Sequence, residues 1–335
     1  MVASDRRSAP PGPPARRLPG IDLLKIVLAV MVVGLHAQLW RQDHPLAGQL
    51  LGEGLFRLAV PTFLLINGWF FGALGDRGRQ RAWIGKLLRL YLAWSLIYGA
   101  DLVQTALASP QPGWTALRLL LLGDRNLWYL PAAATAAGLC WLGLDRHPRA
   151  LLALMAAGWL YGFALQDGLP ADAPLPGFGD LDGRPWAWRN VLGVGLPFFG
   201  LGLLLQRQAW VSRLPARHAA GLAALGLLAV LAEAWWHVQA GTADRDRDLL
   251  LSLLPAAPAL LLAALRLGER WPPGLVPRET ARLAHGVYFS HMALILAIQH
   301  LRAPASGTLM LAALTGALLI SALLLRSRHT RWLVG

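Results

Sequence analysis

The chain has 335 residues, 56% of them hydrophobic and 15% charged, and a formal charge of +13. A soluble domain of this size carries about 25% charged residues, and a nucleic-acid binder gathers its basic residues with aromatics on one face. Here the basic residues fall in short segments between apolar runs, which argues against nucleic acid as a partner, and the single cysteine, Cys140, excludes an internal disulfide.

Residues 1–19 form a Pro-rich tail with Arg6, Arg7, Arg16 and Arg17 and read as disordered. The tail is not a cleavable signal, because the apolar stretch after it is too long and has no small-residue cleavage site. Ten apolar segments follow, at about 21–40, 51–72, 83–107, 127–144, 150–166, 188–206, 218–238, 248–266, 282–301 and 307–325. As helices, such segments cross a hydrocarbon core of about 30 Å. The ten-residue alternating segments of a membrane barrel are missing. A shorter apolar piece, Trp114 to Leu122, lies at the interface or re-enters. The acidic, Pro/Gly-rich stretch 167–187 either covers an outward-facing site or joins two helices.

Charge sets the orientation. With both termini in the cytoplasm, 21 of the 31 basic residues fall in inside segments, and the acids Asp167, Asp172, Asp180, Asp182, Asp244, Asp246 and Asp248 fall outside. The fold expected is an all-α polytopic membrane protein of about ten transmembrane helices in the bacterial inner membrane. Residues 327–335 form a second cytoplasmic tail. No internal repeat is seen, which weighs against repeat-built transporters.

An ionisable group inside a span costs about 3 kcal/mol or more and asks for a reason. Lys25 and His36 lie eleven residues apart in the first segment. That spacing returns them to nearly one helix face, three turns and about 16 Å apart. Lys25 either snorkels to the interface or binds an anion. His36 either bonds a neighbouring helix or takes part in chemistry. Only Lys25 and Lys86 are lysines in an arginine-rich chain. There is no H-E-x-x-H, no paired cysteine and no Walker loop, so neither a metal nor nucleotide hydrolysis is expected.

Five stretches in order resemble the membrane acyltransferase 3 family: Lys25 and His36 behind Asp22; PTFLLINGWF at Pro61 to Phe70; KLLRLYLAW at Lys86 to Trp94; NLWYL at Asn126 to Leu130; and HGVYFSH at His285 to His291. Asn67 stands where the family's serine is usual, and Lys86 replaces an arginine. The resemblance covers about 20–295 and implies a transmembrane acyltransferase domain over 20–326. It further implies transfer of an acyl group, acetyl in the first instance, from acyl-coenzyme A to a hydroxyl of a cell-envelope glycan or related acceptor. Acyl-CoA is then a co-substrate, with no tightly bound cofactor. The match makes His36 the essential histidine, and Lys25, Lys86 and Arg89 the donor-binding cations. Such cations suit the polyanionic donor, and His36 suits a general base.

Around these, Asn67 is a candidate oxyanion or acceptor contact. Glu233 in AEAWWH is either a carboxylate that orients His36 or binds a sugar hydroxyl, or an interfacial residue. Trp128 and Tyr129 stack on sugar or belong to the aromatic belt, and Tyr288 and His291 bind substrate or pack. The chain either completes the transfer itself or passes the acyl group to a separate periplasmic protein. The competing reading is an exporter of polysaccharide or small molecules on the same bundle.

Overall fold

The computed structural model describes residues 17–168, 184–242, 247–301 and 304–335. Most of the expected tail (1–16), residues 169–183 of the acidic stretch, and 243–246 lie outside the described residues. Arg17, counted with the tail, is anchored: it donates to the Asp22 carboxylate at 2.8 Å and to the Val276 and Pro277 carbonyls.

Among the described residues the regular structure is helical. In chain order the helices are α1 (Pro19–His36), α2 (Pro45–Gly52), α3 (Ala59–Ala73), α4 (Arg77–Ile97), α5 (Gly99–Leu107), α6 (Pro112–Leu122), α7 (Tyr129–Trp141) and α8 (Pro148–Gly168). They continue with α9 (Leu196–Gln206), α10 (Ala216–Gln239), α11 (Leu253–Gly268), α12 (Thr280–Leu301) and α13 (Ser306–Arg326). Proline opens α1, α2 and α6, where its missing N–H costs nothing. The Asp76 carboxylate caps α4 by accepting from the Arg79 amide at 2.8 Å.

Among the described residues six stretches are long and apolar enough to cross a membrane: Pro19–His36, Pro45–Ala73, Pro148–Asp167, Ala216–Gln239, Thr280–Leu301 and Ser306–Arg326. The other four expected segments are shorter or interrupted. The segment at 83–107 divides at Tyr98 into α4, whose first thirteen residues carry Arg77, Arg79, Arg81, Lys86 and Arg89, and the short α5. The fourth segment is the 13-residue α7. The sixth begins with a π-helical turn, Val191–Gly195, ahead of α9, and α11 has 16 residues. The second segment is also not one helix: a 3-10 turn, Leu55–Leu58, joins α2 to α3.

Burial separates a centre from a periphery. In the most apolar 18 residues of Pro45–Ala73, 72% are buried, against 22% in the same length of α13 and 28% in that of α10. Peripheral leucines such as Leu225, Leu228, Leu319 and Leu323 are exposed, the outward apolar face that a bilayer requires. α1 packs against α3, α11 and α12 at the centre.

Small residues set how closely the central helices approach. A Cβ on Gly68 of α3 would strike the Phe199 carbonyl of α9, and one on Gly202 of α9 would strike the Leu65 carbonyl of α3. Backbone stands against backbone at both points, so no side chain can yield. Gly68→Val and Gly202→Val should each destabilise the bundle by about 1–3 kcal/mol or more. Thermal unfolding in detergent checks this; Gly85→Val, where a Cβ meets open space, should shift the midpoint far less.

Candidate active site

α1 runs between two polar regions of opposite character. At one end stands Lys25, half-buried, its Nζ 5.1 Å from the centre of the Phe70 ring. Lys25 and Lys86 lie within coulombic reach of each other and of His285, Arg282 is within reach of Lys86 and His285, and Arg89 is within reach of Lys86. Of the three cations expected from the sequence, Lys25 and Lys86 come near each other from α1 and α4, Arg89 follows Lys86 by one turn of α4, and Arg282 and His285 are added from α12. Asp22 is the nearby carboxylate, and Arg17 already occupies it.

At the other end His36 forms part of the wall of a cavity of about 370 Å³, which Trp128 and Tyr288 also line. Four arginines, Arg41, Arg57, Arg125 and Arg189, line the same space with Glu53 and Asp248. Each arginine meets a carboxylate. Arg57, only 5% exposed, bridges Glu53 and Asp248 at 2.6 Å each. Asp248 also accepts from Arg189 and from the Trp188 indole. Arg41 lies 3.7 Å from Glu53, and Arg125 reaches Asp101 at 2.9 Å. The cavity thus offers hydrogen-bond donors and acceptors together, whereas the Lys25 end carries a surplus of positive charge.

Between the two ends lies an aromatic and amide layer. Tyr288 and Phe63 rings stand 5.6 Å apart, and Tyr129 packs 5.3 Å from Tyr288. The Asn67 amide donates to the Tyr129 hydroxyl. Tyr288 is held from behind: its hydroxyl donates to the Asn126 carbonyl at 2.7 Å, and the Asn126 amide donates to the Tyr288 carbonyl at 2.9 Å. His291 is fully buried beside this layer, its ring centre 5.3 Å from that of His36.

The expected residues therefore divide. His36, Trp128 and Tyr288 share the cavity, and His291 stands against His36. Asn67 and Tyr129 bond each other in the layer beneath. Glu233 is elsewhere: its two carboxylate oxygens accept from the Leu251 and Ser252 amides at 2.8 Å, where α11 begins. Those amides are unpaired by the helix itself, and a carboxylate there also meets the favourable end of the helix dipole. Glu233 is not among the residues that line the His36 cavity.

Glu53, Arg57, Arg125, Arg189 and Asp248 are site residues that the sequence reading left out. A signal existed for two of them. Glu53 and Arg57 fall inside the apolar segment 51–72, where the cost of buried charge marks them as plainly as it marks His36.

The profile of a family described as an acyltransferase domain matches residues 18–326. A serine/alanine racemase of Enterococcus gallinarum is 30% identical over 128 residues, which are 35% of this chain and 18% of that protein. An amino-acid racemase of Enterococcus faecalis is 29% identical over 127 residues, again 35% of this chain and 18% of the relative. The chain thus spans less than a fifth of the length of these curated relatives. No solved structure matches.

Removing one partner from a buried ion pair strands the other charge and costs about 3–5 kcal/mol. Arg57→Ala should lose stability in that range. Arg41→Ala, at a more exposed and looser pair, should cost under about 1 kcal/mol. Denaturation of the two variants in micelles compares them directly.

Proposed function

This chain belongs to that acyltransferase family, and we propose that it is an integral membrane O-acyltransferase of the bacterial inner membrane, with about ten spans and both termini in the cytoplasm. In this reading the donor is acyl-CoA, acetyl-CoA in the first instance, bound from the cytoplasm. The acceptor is a hydroxyl of a cell-envelope glycan or a related compound on the other face.

The observation that carries the reading is the placement of Lys25 and His36 three turns apart on α1, one beside other cations and the other on a polar cavity. A polyanionic nucleotide suits the cation cluster, because phosphates draw charge-assisted hydrogen bonds from lysine and arginine. A hydroxyl-rich acceptor suits the cavity at the other end, where every lining arginine is already matched by a carboxylate. Such a surface both donates and accepts hydrogen bonds without trapping an anion. Trp128 adds a ring face for a sugar. The acyl end of the donor then has to cross the layer of Asn67, Tyr129, Phe63 and Tyr288 to meet His36. An extended pantetheine arm has a reach comparable to the about 16 Å of helix rise between the two residues.

The chemistry is a single acyl transfer. His36 takes the proton of the acceptor hydroxyl as its oxygen attacks the thioester carbonyl. The C–S bond breaks, the ester forms, and the proton passes to the departing CoA thiolate. The racemase names of the two relatives stay with those proteins, since the match covers 18% of each.

Two experiments test the proposal. Mass spectrometry of envelope glycans from cells with and without the gene should show loss of an acyl-sized group that mild alkali also removes. His36→Ala should reproduce that loss; an unchanged acyl pattern in its glycans would remove the enzyme reading. Loss of one charge-assisted contact to the donor corresponds to about 1.5–3 kcal/mol. Lys25→Ala should accordingly raise the KM for acetyl-CoA at least about tenfold, and Lys25→Arg should restore most of it.

A further inference from the structure

Two imidazoles from distant parts of the chain meet at the wall of the cavity. His36 comes from the last turn of α1 and His291 from the middle of α12. Their ring planes are tilted by 39°. The Nδ1 atom of His291 lies 3.1 Å from the Val287 carbonyl oxygen one helical turn earlier. A carbonyl oxygen only accepts, so this nitrogen carries the hydrogen. In the neutral ring the other nitrogen, Nε2, is then a bare acceptor. That atom is buried and meets no hydrogen-bond partner.

A buried acceptor without a donor costs about 1–3 kcal/mol and asks for an explanation. The neighbour supplies one. A ring nitrogen lies about 1.1 Å from the imidazole centre, so two rings joined by an N–H···N bond of about 3 Å have centres about 5 Å apart. The observed 5.3 Å is the separation of such a pair. The two rings are close enough for such a bond when a His36 nitrogen faces Nε2.

The backbone around His291 is held in register. The Tyr98 hydroxyl donates to the Phe289 carbonyl at 2.7 Å and accepts from the Ala293 amide at 3.1 Å, on either side of His291. The Tyr288 ring stands 6.2 Å from the His291 ring, and its hydroxyl is fixed by Asn126.

We infer that His291 is the positioning residue for His36: its Nε2 accepts one ring N–H of His36 and so leaves the other His36 nitrogen as a lone pair toward the cavity. The inference rests on the reading of His36 as the general base. A base whose tautomer is fixed by a second group is the usual arrangement for proton abstraction. When His36 takes the acceptor proton, both of its nitrogens carry hydrogen, and the His291 acceptor stabilises the charge that forms. The proton then leaves on the CoA sulfur, and His36 returns to its starting tautomer still bonded to His291.

The test uses the full-length protein in membranes supplied with labelled acetyl-CoA, reading transfer into alkali-labile material. His291→Phe keeps the ring shape and loses the acceptor. It should lower kcat by about 100-fold and leave the KM for acetyl-CoA within about twofold. His291→Gln supplies an oxygen acceptor and should recover at least about tenfold over the phenylalanine variant. Nitrogen-15 spectra of labelled histidine should show one His36 tautomer in the parent protein and a mixture in His291→Phe. A His291→Phe protein with the parent kcat, or a glutamine variant no better than phenylalanine while both melt like the parent, overturns the inference. An unchanged His36 tautomer in His291→Phe overturns it as well. If the parent protein transfers no label, the acetyl-CoA reading fails instead, and the tautomer comparison alone decides whether the two histidines are bonded.

Discussion

A guanidinium buried in an apolar bundle is tolerable only when its charge is met, and Arg57 meets that condition by holding two carboxylates at once. Glu53 comes from the end of α2 and Asp248 from the approach to α11. The pair of bonds therefore ties the α2–α3 junction to a segment almost two hundred residues away. Arg189 and the Trp188 indole join at the same Asp248 carboxylate and bring in the segment before α9. The cavity beside His36 is the space these tied segments enclose. Its polarity is a consequence of how charge is kept inside the bundle, since the groups that neutralise one another are also the groups a ligand would meet.

The same requirement explains why several helices are interrupted where they are. Leu55–Leu58 forms a 3-10 turn beside Glu53, and a π-helical turn opens directly after Asn190, whose side chain accepts from the Leu192 and Gly193 amides. Backbone that leaves the α-helix within a bundle needs protein partners for its polar groups. The π-helical turn falls where the Asn190 side chain provides one, between Arg189 and Val194 of the cavity wall. Glycine has a different task at the centre, where Gly68 and Gly202 let α3 and α9 touch backbone to backbone.

Much of this was legible in the sequence, within a definite limit. Lys25 and His36 declared themselves because both lie on one helix and a fixed period relates them. The apolar runs marked the helices, and the short stretch at 114–122 did form a separate one, α6. Helix period says nothing about which distant segment a face will meet. For that reason the contact of His36 with His291 was invisible, and so was the bridge from Arg57 to Asp248. Apolar content also could not distinguish one long helix from two joined by a turn, as at 51–72 and 83–107. Glu233 shows the converse. It stood out as an acid in an apolar run, yet α11 packs against α10 and leaves its first amides beside that carboxylate. An acid in an apolar run is evidence of some partner, and the partner here is backbone.

The reciprocal bonds between Asn126 and Tyr288 carry one more implication. Each residue gives its side chain to the other's carbonyl, so the stretch before α7 and the middle of α12 are latched twice at one point and travel as a single body. A doorway cannot be cut through that side without breaking both latches together. The cavity wall also takes in α2, eight residues long with Gly48 as its one buried residue, which packs on the backbone of Trp40 and Arg41. An opening between α2 and the Gln38–Arg41 turn would leave both latches whole.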